Sequence, residues 1–305
     1  MKKKTIYNIV HWAIIVACAL FLAWKLREVG GFKQYLYYFA DTTNAQIVFL
    51  IFTIILLPLN FFCESAKWKI LLKNICKINF YEAFQAVLWG QTGAFLTPNS
   101  LGEYPARSLN LPSEYRLSAV TMGFAGSFAQ TVVVSVCGII AAPFFLTKYS
   151  ALKNFNSIII FAVIVSLSII LLFFFLPKIS KKVKEKFTFS QSLQVLAVSA
   201  VKYLIFSVQF YFMLRFCGVE FSVVQAIFAM PTFYLLLTYT PLINAAEFAV
   251  RSSIGILIFG AFSDNITAIF AASALFWLLN FCIPTLFGLF LGIKNRRKYV
   301  EKHLK

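Results

Sequence analysis

The stretch Ala45–Phe62 reads AQIVFLIFTIILLPLNFF and contains no charged side chain. About 20 apolar residues in a helix are enough to cross the hydrocarbon core of a bilayer, which is about 30 Å thick. We therefore predict a membrane span here. Five further stretches have the same apolar character: Val10–Trp24, Ser118–Ala142, Ile158–Leu176, Val195–Phe216 and Thr267–Leu291. The sequence thus predicts an all-α, polytopic membrane helical bundle with six full spans.

The composition indicates one integral membrane domain over residues 1–305. Hydrophobic residues make up 60% of the chain and charged residues 13%, whereas soluble domains carry about 25% charged residues. The net charge of +17 does not indicate a nucleic-acid partner, because most Lys and Arg residues lie in short clusters between apolar stretches. No small-residue cleavage site follows the first apolar stretch, so we expect it to be retained as a span and not removed as a signal peptide.

The polar residues offer no familiar catalytic or metal-binding pattern. The six cysteines form no CxxC pair, and the two histidines, His11 and His303, stand near opposite ends of the chain. We predict neither a metal nor another cofactor. The sequence contains no glycine-rich phosphate loop, no GxSxG and no HExxH, so enzymatic activity is not the leading prediction.

Two other apolar regions, Phe80–Leu109 and Ser222–Phe262, are each interrupted by a polar break that contains proline. If each region is a hairpin that enters and leaves on one side, the basic clusters Lys67–Lys77 and Lys178–Lys186 share a side with both termini. The basic tail 294–305 lies on that side too. The positive-inside rule makes this the cytoplasmic side of the inner membrane. Two full spans per region would give the same parity, so re-entrant and fully spanning hairpins both remain open.

The two breaks are similar in sequence. Residues 97–103 read Thr-Pro-Asn-Ser-Leu-Gly-Glu and are followed by Arg107, while residues 240–247 read Thr-Pro-Leu-Ile-Asn-Ala-Ala-Glu and are followed by Arg251. Proline ends or kinks a helix because it lacks an N–H group. The helix-break residues are Thr97, Pro98, Gly102, Thr240 and Pro241.

The order of span, span, broken hairpin, span occurs twice, in halves of about 5–145 and 155–295. The first half starts inside and the second starts outside, so we predict an inverted repeat. Secondary transporters with such repeats bind substrate near the bilayer midplane, on interrupted helices.

A new helix is predicted to begin at each break. Ser100 stands three residues before Glu103, and Asn244 stands three before Glu247, which matches the spacing of a capping box. In each new helix the glutamate and the following arginine would then lie one turn apart. A charged side chain at membrane depth costs about 2.5–3.5 kcal/mol on insertion scales, so the pairs indicate a polar site, and an arginine at a helix N-terminus suits an anionic group.

An alternative is that the pairs cap interfacial helices while the arginines snorkel to water. Lys202, inside a predicted span, would need Glu103 or Glu247 as a partner unless it snorkels as well. Gly123 and Gly126 are expected to allow close helix contact. The predicted substrate-binding residues are Glu103, Arg107, Glu247, Arg251, Asn99, Ser100, Asn244 and Lys202.

The first break resembles the membrane region of lysylphosphatidylglycerol synthases of the multiple peptide resistance factor type, also called flippase-like domains. The resemblance covers roughly residues 5–295. Ala246 stands where the first break has Gly102, so the two breaks need not have identical roles. The matching positions are Pro98, Gly102, Glu103 and Arg107, then Pro241 and Glu247, and the basic-Trp pair Lys67-Trp68.

The resemblance implies binding or translocation of an anionic or aminoacylated phospholipid, or of a lipid-linked substrate, between leaflets. Lipid aminoacylation is not expected, because in the full-length enzymes it belongs to a soluble C-terminal domain. The expected partners are membrane lipid and a lipid-modifying enzyme, and the sequence leaves the oligomeric state open. Two alternatives remain: an enzyme or accessory subunit that acts on polyprenyl-phosphate- or lipid-linked sugars, and a structural membrane partner without transport.

Overall fold

The computed structural model describes residues 43–95, 97, 100–149, 164, 168, 188–240 and 244–290, with the backbone alone over 244–249. The chain divides into two compact units, Met1–Ile47 and Val48–Lys305, and the account below concerns the second. All regular elements in the described ranges are helical. They are α1 (Asn44–Leu72), α2 (Phe80–Phe95), α3 (Glu103–Ser108), α4 (Ser113–Lys148), α5 (Phe189–Phe216), α6 (Val223–Tyr239), α7 (Asn244–Phe259) and α8 (Ile266–Trp277).

Four helices are long and apolar enough to cross a membrane. They are α1, α4, α5 and the continuous helix Ile266–Phe290 that α8 begins. Large apolar side chains such as Ile51 and Ile55 are about half exposed on α1, as expected of a surface that faces lipid. The prediction of a helical membrane bundle is confirmed at this level. The predicted spans Val10–Trp24 and Ile158–Leu176 lie outside the described residues, apart from two positions in the second.

Helix α1 corrects the predicted end of its span. The sequence prediction ended the span at Phe62 and counted Lys67 among the cytoplasmic basic residues, whereas α1 continues to Leu72. Glu64 and Lys67 are both buried within this extension, with 7% and 3% exposure. Hydropathy failed here because it counts each charge as unfavourable inside a bundle, while an ion pair between buried charges offsets that penalty.

The first hairpin consists of α2 and α3. Its two helices approach so closely that a side chain at Gly93 would overlap the carbonyl oxygen of Gly102 and the Cβ of Ala106. One turn earlier, a side chain at Gly90 would overlap Arg107. Helix α3 therefore packs directly against α2, and the two glycines allow the helices to approach this closely.

The second hairpin consists of α6 and α7, and the residues that flank its two ends lie close together. Phe221 precedes α6 and Phe262 follows α7, yet their rings are stacked with centroids 5.7 Å apart. Helix α6 ends at Tyr239 and helix α7 begins at Asn244, so the helix break predicted at Thr240 is confirmed. The second arm has 16 residues here against six in the first hairpin.

Both hairpins pack along helix α4, so their contacts with α4 show where each hairpin lies. Tyr115, near its start, lines the same cavity as Ile78 and Leu111 at the open end of the first hairpin. Near its other end, Phe145 packs against Phe262 with ring centroids 6.0 Å apart. The open ends of the two hairpins therefore lie at opposite ends of a helix of 36 residues.

The tips of the hairpins lie further inward along α4. Tyr104 of the first hairpin fills the space beside Gly123, about 15 Å along α4 from its start. The Tyr239 hydroxyl of the second hairpin is 2.7 Å from the Ser135 hydroxyl, about 20 Å from the other end. Gly123 and Gly126 do allow close contact as predicted, since Cβ atoms there would overlap Tyr104 and Leu71.

Candidate functional site

Glu64 is the centre of a buried ion cluster that joins three helices. One carboxylate oxygen accepts from Arg107 Nη1 at 2.8 Å. The other lies 2.8 Å from Lys67 Nζ and also accepts from Lys202 Nζ. Arg107 in turn pairs with Glu103 through its second terminal nitrogen. We call these five residues, Glu64, Lys67, Glu103, Arg107 and Lys202, the Glu64 cluster.

Arg107 is the most enclosed member of the cluster, with 1% of its surface exposed. Its two terminal nitrogens bind two different carboxylates, and its guanidinium carbon lies 5.5 Å and 5.6 Å from the ring centroids of Trp68 and Tyr104. The predicted Glu103–Arg107 pair one turn apart is confirmed. The alternative in which Arg107 snorkels to water is wrong.

The break before α3 is built differently from the prediction. The N-cap of α3 is Gly102 and no side chain caps it, so the capping box from Ser100 to Glu103 is wrong. Instead, Thr97 Oγ accepts from the Gly102 N–H at 2.7 Å and donates to the Gly93 carbonyl at 2.9 Å. Ser100 has a φ of 55°, in the left-handed region, which is uncommon for residues other than glycine. Pro98 and Asn99 lie outside the described residues.

Lys202 belongs to the site, but with a different partner. It pairs with Glu64 of α1 rather than with Glu103 or Glu247. Its side chain keeps 25% exposure and that of Glu103 keeps 19%, whereas Arg107 keeps 2%. The accessible part of the cluster therefore presents one ammonium group and one carboxylate.

The second break positions Arg251 in different surroundings. Arg251 is 2% exposed, and its guanidinium carbon lies 5.4 Å from the ring centroid of Phe276 and 6.0 Å from that of Phe281. Its charge lies close to the hydroxyl of Tyr234. The alternative in which Arg251 snorkels to water is therefore wrong too.

The rest of the predicted second site lies mostly outside the described residues. Pro241 and the side chains of Asn244 and Glu247 lie outside the described residues. The backbone of α7 begins at Asn244, where a new helix was predicted. The Thr240 hydroxyl donates to the Leu236 carbonyl within its own helix at 2.8 Å.

The sequence analysis missed Glu64 as a site residue and counted Lys67 only as a cytoplasmic basic residue. A usable signal was present, since Glu64 and Lys67 are three positions apart and so share a helix face. Within the described part of the chain, no group of three His, Cys, Asp or Glu side chains could hold a metal ion. No protein-family model matches this chain, and no curated protein matches it.

Proposed function

We propose that this protein binds the head group of an anionic or aminoacylated phospholipid and moves it between leaflets, in the manner of a flippase. The observation that carries the proposal is the Glu64 cluster, a group of five ionisable side chains enclosed by helices that are apolar enough to span a membrane. Ionisable residues inside membrane bundles most often mark a substrate or ion path.

The charge balance of the cluster favours an anion. Counting each member in its charged form, three cations face two carboxylates, which leaves one positive charge. A phosphodiester head group carries one negative charge and would neutralise it. The phosphate would reach Lys202, and the ammonium group of an aminoacylated lipid would reach Glu103, because these two members are the accessible ones.

An inverted repeat is part of the proposal. It is supported by the positions of the hairpins along α4, with open ends at opposite ends of that helix and tips toward its middle. Substrate sites of inverted-repeat transporters lie at such a depth, where broken helices meet. The resemblance to the membrane region of lysylphosphatidylglycerol synthases supports the same function, with both termini in the cytoplasm and the protein in the inner membrane.

The test is lipid movement in liposomes that contain the purified protein. A Lys202→Gln variant should translocate labelled phosphatidylglycerol or its lysyl ester about 10- to 100-fold more slowly, since a hydrogen bond to a charged group contributes about 1.5–3 kcal/mol. Glu64 would keep Lys67 and Arg107 as partners, so the variant should still fold.

Lys202→Arg retains the charge and should recover part of the rate, and Lys148→Gln, at an exposed lysine, should match the wild type. Equal rates for Lys202→Gln and Lys148→Gln in folded protein would exclude the cluster as the translocation site.

A further inference from the structure

A cavity of about 700 Å³ lies at the open end of the first hairpin. It is bounded by the end of α1, the start of α2 and the connection between α3 and α4. Among the residues that line it are Trp68, Cys76, Lys77, Asn110 and Tyr115. Small-molecule sites in proteins commonly have volumes of about 300–1,000 Å³, so the space suits a head group.

Trp68 separates this cavity from the Glu64 cluster. The residue lines the cavity, while its ring lies against the guanidinium of Arg107. It is fully buried, and among the residues that the structure describes its indole Nε1 has no hydrogen-bond partner. A buried donor without a partner is unusual in native proteins and calls for a ligand or water.

The remaining polar groups define the chemistry of the cavity. Glu82 also lines it, but one of its carboxylate oxygens already accepts from the Asn79 N–H at 2.8 Å. Lys77 makes no salt bridge within the described ranges, so the lining carries one unpaired ammonium group and one carboxylate that caps the start of α2. Asn110 and Tyr115 add neutral groups that can donate and accept hydrogen bonds.

We propose that this cavity is a separate binding site for a glycerol phosphodiester, with the phosphate at Lys77 and the glycerol hydroxyls at Asn110 and Tyr115. Resting on the proposed function, the site would hold a lipid head group at the membrane surface before it reaches the Glu64 cluster. A water-soluble glycerophosphodiester has the same chemistry, and the experiment separates the two sources.

Cys76 provides the readout because it lines the cavity. Burial, with a smaller contribution from Glu82, raises the pKa of its thiol, so alkylation is followed at alkaline pH. The full-length protein in non-ionic detergent is alkylated with and without each probe, and mass spectrometry gives the rate at Cys76. Cys137 on α4, which does not line the cavity, serves as the internal reference.

Dihexanoyl phosphatidylglycerol should slow the alkylation of Cys76 about fivefold or more, and dihexanoyl phosphatidylcholine should not. Lys77→Gln should remove most of this protection, while Lys73→Gln, at an exposed lysine outside the cavity, should retain it. Asn110→Ala should weaken the protection without altering a charge.

Equal protection by glycerophosphoglycerol would identify a soluble ligand for the same site, whereas protection by the lipid alone would identify the lipid. Protection by phosphatidylcholine to the same extent, or protection that survives Lys77→Gln, would overturn the proposal. The assay does not involve translocation, so Lys202→Gln should leave Cys76 protection intact. Failure at the Glu64 cluster and failure at this cavity can therefore be told apart.

Discussion

The two broken hairpins place a buried arginine at corresponding positions, and the surroundings of the two arginines differ. Arg107 is bound by the carboxylates of Glu64 and Glu103, and two cations complete the ion cluster. Arg251 lies against the rings of Phe276 and Phe281. A ring face attracts a cation but adds no charge of its own.

The described residues around the two breaks differ as well. Around the first break the chain gathers five ionisable side chains. Around the second it gathers aromatic rings, since Phe210, Phe233 and Phe276 pack together next to Phe259 of α7.

The largest effect should come from Glu64→Gln. This change leaves Lys67 and Lys202 without their carboxylate, and loss of one partner from a buried ion pair costs about 3–5 kcal/mol. The free energy of unfolding, measured by denaturant titration in detergent, should fall by that amount. Glu220→Gln removes an exposed carboxylate and should change it by less than about 0.5 kcal/mol. Similar stability of the two variants would show that Glu64 does not hold the cluster together.

A smaller effect is expected from Gly90→Ala in the first hairpin. The new Cβ would overlap Cγ and Nε of Arg107, and overpacking of this kind costs about 1–3 kcal/mol. The translocation rate should fall as well, because Arg107 must move.

Gly255→Ala is the matched change in the second hairpin. Its Cβ would meet Ser273 Oγ at 3.2 Å, a tight but adjustable contact, and alanine favours the helix by about 1 kcal/mol. Its stability should therefore stay near that of the wild type. If Gly255→Ala proved the more harmful of the two, the packing at Arg107 would not be the tighter constraint.

The smallest expected effect is a difference in unfolding free energy between valine substitutions at the threonines of the two breaks. Both donate to the carbonyl four residues earlier. Among the residues that the structure describes, Thr97 also accepts the backbone N–H of Gly102, and Thr240 accepts none. Thr97→Val should therefore lower the unfolding free energy by about 1 kcal/mol more than Thr240→Val does. Thermal unfolding of the two variants in one detergent measures the difference. No difference would mean that this hydrogen bond does not stabilise the break.

Much of the fold was predictable because local composition determines it. Apolar stretches of sufficient length gave the four helices that are long and apolar enough to cross a membrane, and proline with short polar residues gave both breaks. The pair Glu103–Arg107 was predictable because its partners are one turn apart. The centre of the site was only partly predictable. Lys67 is three positions from Glu64, but the other two partners come from positions 43 and 138 residues away. Which distant helices meet depends on packing that a sequence pattern does not encode.

The π-helical turn at Leu278–Cys282 sets the rotational phase of the last helix. In an α-helix, Phe276 and Phe281 would point about 140° apart, at about 100° per residue. Hydrogen bonds that span five residues bring such positions onto one face, and both rings reach Arg251. Beyond the turn, Thr285 accepts from Thr92 of the first hairpin at 3.2 Å. One extra residue thus lets a single helix fit both hairpins, and deleting it would turn the downstream segment by about 100°.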